Sequence, residues 1–289
     1  MNLLSGLEKF GLSANSDLDI TQDDPSQKRK AQMKRNSDEK EVIESDFVLD
    51  KMVTCPVCDK KFHTLTVKTG KAKRLEPDFD LRPNYECVDT IKYDACACPH
   101  CGYAAMNRDF VHLSTAQMKW IRQGVSENFK PIPDEIKETY TYDESVDRFK
   151  LALISAMTKK AKVSEKAYIC LKIAWLRREQ YKQLPDSTPD LLKRKKEIKA
   201  EWDGFYRQAY DGFNKASATE MPPYCGMDNN TLEFILANMA MNFQEYNVAS
   251  KLVSRLLTSP NSNARIKDKC IDLKEDILKE LKSRKENEQ

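Results

Sequence analysis

Cysteine is the residue type with the greatest chemical reach in this chain, and four of its nine cysteines fall into a repeated pattern. Cys55-Pro56-Val57-Cys58 and Cys98-Pro99-His100-Cys101 each place two thiols three positions apart, so a tight turn aims both sulfurs at one point. Two such turns supply four soft ligands, the set that closes a tetrahedral zinc site. Four thiolates leave no coordination position for water or substrate, so the expected cofactor is one structural Zn2+ held by Cys55, Cys58, Cys98 and Cys101. A thioredoxin-type motif would need a single pair in a strand-to-helix context. A disulfide framework would need an oxidising compartment, and the odd, uneven cysteine count speaks against one. Cys87 and Cys96, between the two turns, read as buried small hydrophobes, and Cys225 as a packed loop thiol. His63 and His100 are expected to hydrogen-bond near the metal, not to bind it.

Something must bring two turns 40 residues apart to one point. The residues between them read as strands, which gives a zinc ribbon, carrying an insertion, whose knuckles are its two hairpin ends. Phe62 to Val67 is a β-rich run, and Thr69-Gly70 reads as a hairpin turn after it. Beyond Tyr103 the apolar period lengthens to that of helices. Ser114 with Gln117 forms a capping box ahead of Met118, Ile121, Val125 and Phe129. Further helices run through Tyr142 to Met157, Ala167 to Arg178 and Ile198 to Phe213, with Pro185 and Pro189 as interruptions. Thr231 or an adjacent Asn is expected to cap a helix through Leu232 to Phe243. Its partner runs from Ala249 to Leu256, and a last helix from Asn263 to Arg284. The Ala-rich helix, tyrosine turn and closing Pro of 231–260 resemble a tetratricopeptide repeat, and short connections with single apolar stripes predict antiparallel stacking.

The fold class that results is mainly α: a small β zinc ribbon followed by a tetratricopeptide-like helical array. The expected domains are a disordered tail over 1–46 with a short docking helix at Met1–Leu12, a ribbon over 47–110, helices over 111–284, and a disordered end at 285–289. The tail follows from collapsed apolar content between Ser13 and Ser45; the docking helix follows from Leu3, Leu4, Leu7, Phe10 and Leu12 on one face. Over 289 residues, 40% hydrophobic and 32% charged residues suit a soluble protein, and a net charge of +3 sets up no global field toward nucleic acid or membrane. No apolar run approaches membrane-spanning length, so no membrane insertion is expected. The start lacks the basic region and apolar centre of a secretory signal, which points to the cytoplasm.

The knuckle Cys55-Pro-x-Cys58, the segment Asp80-Leu81-Arg82-Pro83-Asn84-Tyr85, and Cys98-Pro99-His100-Cys101-Gly102-Tyr103-Ala104-Ala105 occur in this order. So do Lys166 to Leu176 and the Cys225-Gly226-Met227 loop. In this the chain resembles the bacterial domain-of-unknown-function family 2225. The resemblance implies a zinc-ribbon-like segment and a tetratricopeptide-like helical region, and it implies no activity.

Two function classes are open. The first is a non-enzymatic scaffold that binds an unidentified protein or peptide on its helices, with Arg148, Glu233 and Asn238 as the expected partner-facing residues. The second is a nucleic-acid-associated ribbon using the basic arm Lys60, Lys61, Lys68, Lys71, Lys73 and Arg74, which holds no acidic residue. Acidic residues follow that arm closely, and aromatic residues beside it are too few for a stacking platform, so the scaffold is favoured. An enzyme is not expected. The chain has no phosphate-binding loop and no open metal site, and its three histidines offer little general-base capacity.

Overall fold

The computed structural model describes residues 42–287. The expected docking helix at Met1–Leu12, and most of the tail with it, lie outside the described residues. A 3-10 turn at Glu44–Phe47 leads into β1 (Val48–Thr54), which pairs antiparallel with β2 (Lys61–Val67). A second hairpin joins β3 (Ala95–Ala97) to β4 (Ala104–Met106). Seven α-helices follow: α1 (Thr115–Ile121), α2 (Tyr142–Thr158), α3 (Val163–Gln183), α4 (Pro189–Thr219), α5 (Asn229–Asn242), α6 (Tyr246–Thr258) and α7 (Ala264–Asn287). The fold is mainly helical with small antiparallel sheets near its start, as the sequence patterning requires. Among the described residues no helix is long and apolar enough to cross a membrane.

Several boundaries differ from the expectations. Glu44 is not part of a free tail: its carboxylate receives the Lys92 ammonium at 2.8 Å and the Tyr93 hydroxyl at 2.9 Å. Thr69-Gly70 does form a turn, with Gly70 at φ +73°, but no strand returns to pair with β2, whose outer edge is taken by the Asp134 carboxylate and the Tyr140 hydroxyl. The next segment is held by one isolated bridge, Arg74 to Tyr85. Pro189 starts α4 instead of interrupting a helix: it occupies the first turn, where its missing N–H is not needed, and Thr188 caps the turn by accepting from the Leu191 N–H. The cap of α5 is Asp228, whose carboxylate accepts the Thr231 N–H at 2.7 Å. Helix α7 continues to Asn287, past the expected stop at 284.

Each long helix from α2 onward packs on the next, and α7 also reaches back to α5. Gly212 of α4 makes the close approach to α3 possible, since a Cβ there would lie 2.8 Å from that of Ala167. Not every helix has a single apolar stripe. Helix α3 is buried on all sides from Ile169 to Arg178, and α5 from Phe234 to Ala240. Polar residues in α3's buried stretch are matched one by one: Lys172 pairs with Asp94, and Arg177 with Asp143 and Glu201.

The described residues from 43 onward make one compact unit with three hydrophobic clusters, and the largest of them joins ribbon to helices. Ile91, Ala95, Ala97, Ala104 and Met106 of the ribbon share a buried cluster with Phe149, Ala152 and Ala156 of α2. The change of secondary structure near residue 110 is therefore not a break in packing, and the ribbon is no detached appendage.

Candidate metal centre

Both knuckles are built alike. In the first, the Cys55 N–H donates to the Lys60 carbonyl at 3.0 Å and the Asp59 N–H to the Cys55 carbonyl at 2.9 Å. In the second, Cys98 donates to Tyr103 at 2.8 Å and Gly102 to Cys98 at 3.0 Å. The residue after each second cysteine takes a positive φ, 59° at Asp59 and 73° at Gly102. At residue 102 only glycine fits, because an added Cβ would sit 2.4 Å from the Phe129 ring as well as in a strained conformation. Each hairpin thus turns through its own Cys-Pro-x-Cys, and the two turns face one another.

The four sulfurs lie within 4.8 Å of each other. Across the knuckles, Cys55 Sγ is 3.6 Å from Cys101 Sγ, and Cys58 Sγ is 3.7 Å from Cys98 Sγ. A disulfide would need about 2.05 Å, so all four are free thiols. A tetrahedral ion with sulfur at about 2.3 Å sets sulfur–sulfur edges of about 3.8 Å, which the two edges across the knuckles, 3.6 and 3.7 Å, match. The donor set and its spacing fit a metal ion.

The electrostatics lead the same way. Hydrogen bonds from Cys55 and Cys98 pull the Cys101 thiol down to about 2. Donating those bonds pushes Cys55 up, and the bond with Cys101 pushes Cys98 up to about 12. A divalent cation replaces the thiol protons and lets all four sulfurs ionise. Backbone N–H groups already point at sulfur, as Val57 does to Cys55 Sγ at 3.4 Å.

Surrounding residues hold the knuckles in place. Arg122, in the π-turn Arg122–Ser126 after α1, donates from Nε to the Val57 carbonyl at 2.9 Å. His100 Nε2 is 3.1 Å from the Lys61 carbonyl, which ties the second knuckle to the first hairpin. His63 Nδ1 is 2.7 Å from Asp50, well occupied and no ligand. Phe62, Tyr103, Phe110 and Ile121 close an apolar shell around the sulfurs, and Cys96 belongs to this shell as expected. Cys87 does not: it is exposed at φ 63°, at the rim of a cleft of about 620 Å³.

A family model described as an uncharacterized protein conserved in bacteria matches residues 48–277. The chain belongs to domain-of-unknown-function family 2225. The family 2225 match opens on the first residue of β1 and closes inside α7, so it takes in both knuckles and the helices between. No curated protein and no solved structure matches the chain.

The other expected site residues fare unevenly. Asn238 is 4% exposed, and its amide donates to the Phe234 carbonyl one turn back. It belongs to the core, because α5 is covered by α4, α6 and α7, and it cannot face a partner. Arg148 lies half-buried with its guanidinium 3.8 Å from the centre of the Tyr140 ring, and Glu233 pairs with Arg255 of α6 at 2.9 Å. In the basic arm, the Lys68 and Lys71 ammoniums both donate to the Asp46 carbonyl, and Lys73 faces Glu86 at 3.8 Å. Lys60, Lys61 and Arg74 are exposed.

One cluster has no counterpart in the expectations. Asp80 is fully buried and receives Arg178 through both of its oxygens at 2.8 Å, Trp175 Nε1 at 2.8 Å and the Tyr206 hydroxyl at 3.1 Å. The segment carrying it is the ribbon's insertion, so this carboxylate pins the insertion to α3 and α4. The only signal in the sequence was the run Asp80 to Tyr85 itself, with no spacing that would reveal its partners.

Proposed function

We propose that this chain is a structural-zinc protein that acts by binding another protein and not by catalysis. The observation that carries the zinc reading is the cluster of four thiols at tetrahedral spacing in two matched knuckles. All-sulfur sites of this kind favour zinc among the common cellular divalent ions. Four protein ligands leave zinc no open position, so its work is to hold the ribbon against α2. The helices supply the binding surface. Consecutive packing from α2 to α7 supports a tetratricopeptide-like stack, with Arg148 and Glu233 among the residues offered to the partner. Nucleic acid remains the second class, but internal bonds already engage three of the six basic-arm residues.

The test has two arms. Reduced wild-type protein should carry one zinc per chain, and Cys98→Ser should lose it; a metal-free wild type refutes the zinc reading. For the scaffold, Arg148→Ala and Glu233→Ala together should reduce co-purification of the host partner while costing about 1–2 kcal/mol at most, the worth of one ring contact and one exposed ion pair. Full retention of the partner refutes the helical surface.

A further inference from the structure

The two edges of the β1–β2 hairpin are treated differently. Cys55 donates to the Lys60 carbonyl and Lys68 to the Phe47 carbonyl, so bonded pairs recur at every second residue between them. That register turns the N–H groups of His63 and Leu65 to the outer edge of β2, and both are capped. His63 donates to the Asp134 carboxylate at 3.1 Å, and Leu65 to the Tyr140 hydroxyl at 2.9 Å. The His100 ring reaches the Lys61 carbonyl on the same edge. Side chains from outside the hairpin thus close β2 to any further strand.

β1 has no such cover. Its outward backbone groups belong to Asp50, Met52 and Thr54, opposite Leu65, His63 and Lys61, and none has a hydrogen-bond partner among the described residues. Val48 and Val53 pack inward, against Tyr93 and Tyr140 and against the knuckle cluster, and β2 is the strand's main neighbour among the named elements. Leu49 is 53% exposed and Met52 56%. Free donors and acceptors in a row, flanked by apolar side chains, are the template onto which another strand adds.

Charge names the occupant. Lys51 on the strand, with Lys60 and Lys61 at its knuckle end, are exposed and have no carboxylate partner among the described residues. Of the acids along the same stretch, Asp50 is engaged by His63 and Asp59 stands exposed at the knuckle, which leaves lysine in excess. We propose that β1 is a docking edge for an extended peptide of another protein, one in which carboxylates alternate with apolar residues and which adds as a third strand. Side chains of such a peptide alternate as those of β1 do, so carboxylates can stand beside Lys51 while apolar residues meet Met52 on the other face, where Lys61 flanks only the knuckle end. The edge lies on the ribbon, apart from the helical surface proposed above, and depends on zinc only for the shape of the hairpin.

The probe is a fluorescent octapeptide of alternating glutamate and valine, titrated into the full-length zinc-loaded chain. Two control peptides carry lysine in place of glutamate, or N-methyl groups on alternate amides. The acidic peptide should bind, and each control should bind at least about tenfold more weakly, since the second cannot form strand bonds. Met52→Pro removes an outward N–H that the fold does not use and should weaken binding about tenfold with one zinc per chain retained. If that variant loses its zinc, the combined change Lys51→Glu, Lys60→Glu and Lys61→Glu takes its place and should shift preference to the lysine peptide. The proposal is overturned if the acidic peptide does not bind or if the N-methyl peptide binds equally. It is also overturned if an oligonucleotide displaces the peptide with steep salt dependence, or if the chain dimerises through β1 and the peptide leaves the dimer intact.

Discussion

At the level of single residues, a buried carboxylate and a set of thiols each tie distant segments together, and they differ in the trace they leave in the sequence. Cys55, Cys58, Cys98 and Cys101 were legible because metal ligation imposes a spacing that survives in the sequence. Asp80 was not, because its partners Trp175, Arg178 and Tyr206 lie about a hundred residues on, and a buried ion pair imposes no local pattern. Asp80→Ala would leave Arg178 charged and buried without its bidentate partner. A loss of about 3–5 kcal/mol is expected in chemical denaturation; a loss near that of a surface change would contradict the role given to it. Asp78, beside it, titrates differently. Burial pushes its pKa up, but the Asn84 hydrogen bond and the Arg178 and Lys182 charges outweigh that and hold it below 3.8. A depressed carboxyl stabilises the fold above its unfolded value and loses that contribution as pH falls through the folded one. Stability should therefore decline below about pH 4, and Asp78→Asn should start lower at neutral pH and show less of that decline.

Among the elements, periodicity located the helices well, and local chemistry at their ends was harder to read. The capping box of Ser114 and Gln117 stands where expected. For α5 the expected cap was Thr231 or an adjacent Asn; Asp228, just before them, caps instead, because its carboxylate also meets the helix dipole. Asp228→Ala should cost about 1 kcal/mol in thermal unfolding, whereas Thr231→Ala, inside the helix, should cost far less. Equal losses would reverse the assignment. Which faces a helix buries was misread where neighbours surround it. Asn238 follows a surface pattern in sequence, yet α5 is covered on several sides, and its amide is satisfied by its own backbone. Sequence spacing reports the first face a helix buries and is silent on a second.

At the scale of the whole molecule, the shared core ties the metal to the helices. Ala95, Ala97, Ala104 and Met106 flank the second knuckle and pack with α2, so loss of the ion should loosen more than the ribbon. Chelation should lower the melting temperature of the entire chain in one cooperative transition and raise amide exchange in α2 as well as in both hairpins. A separate early transition confined to the ribbon would show that the two parts fold independently. All of this stands on the identity of the ion and its ligands. X-ray absorption at the zinc edge, on protein purified without added metal, tests that most directly. One zinc per chain is expected, with four sulfur neighbours at about 2.3 Å and no nitrogen or oxygen shell. A nitrogen or oxygen ligand, another metal, or an empty site with four free thiols would contradict it.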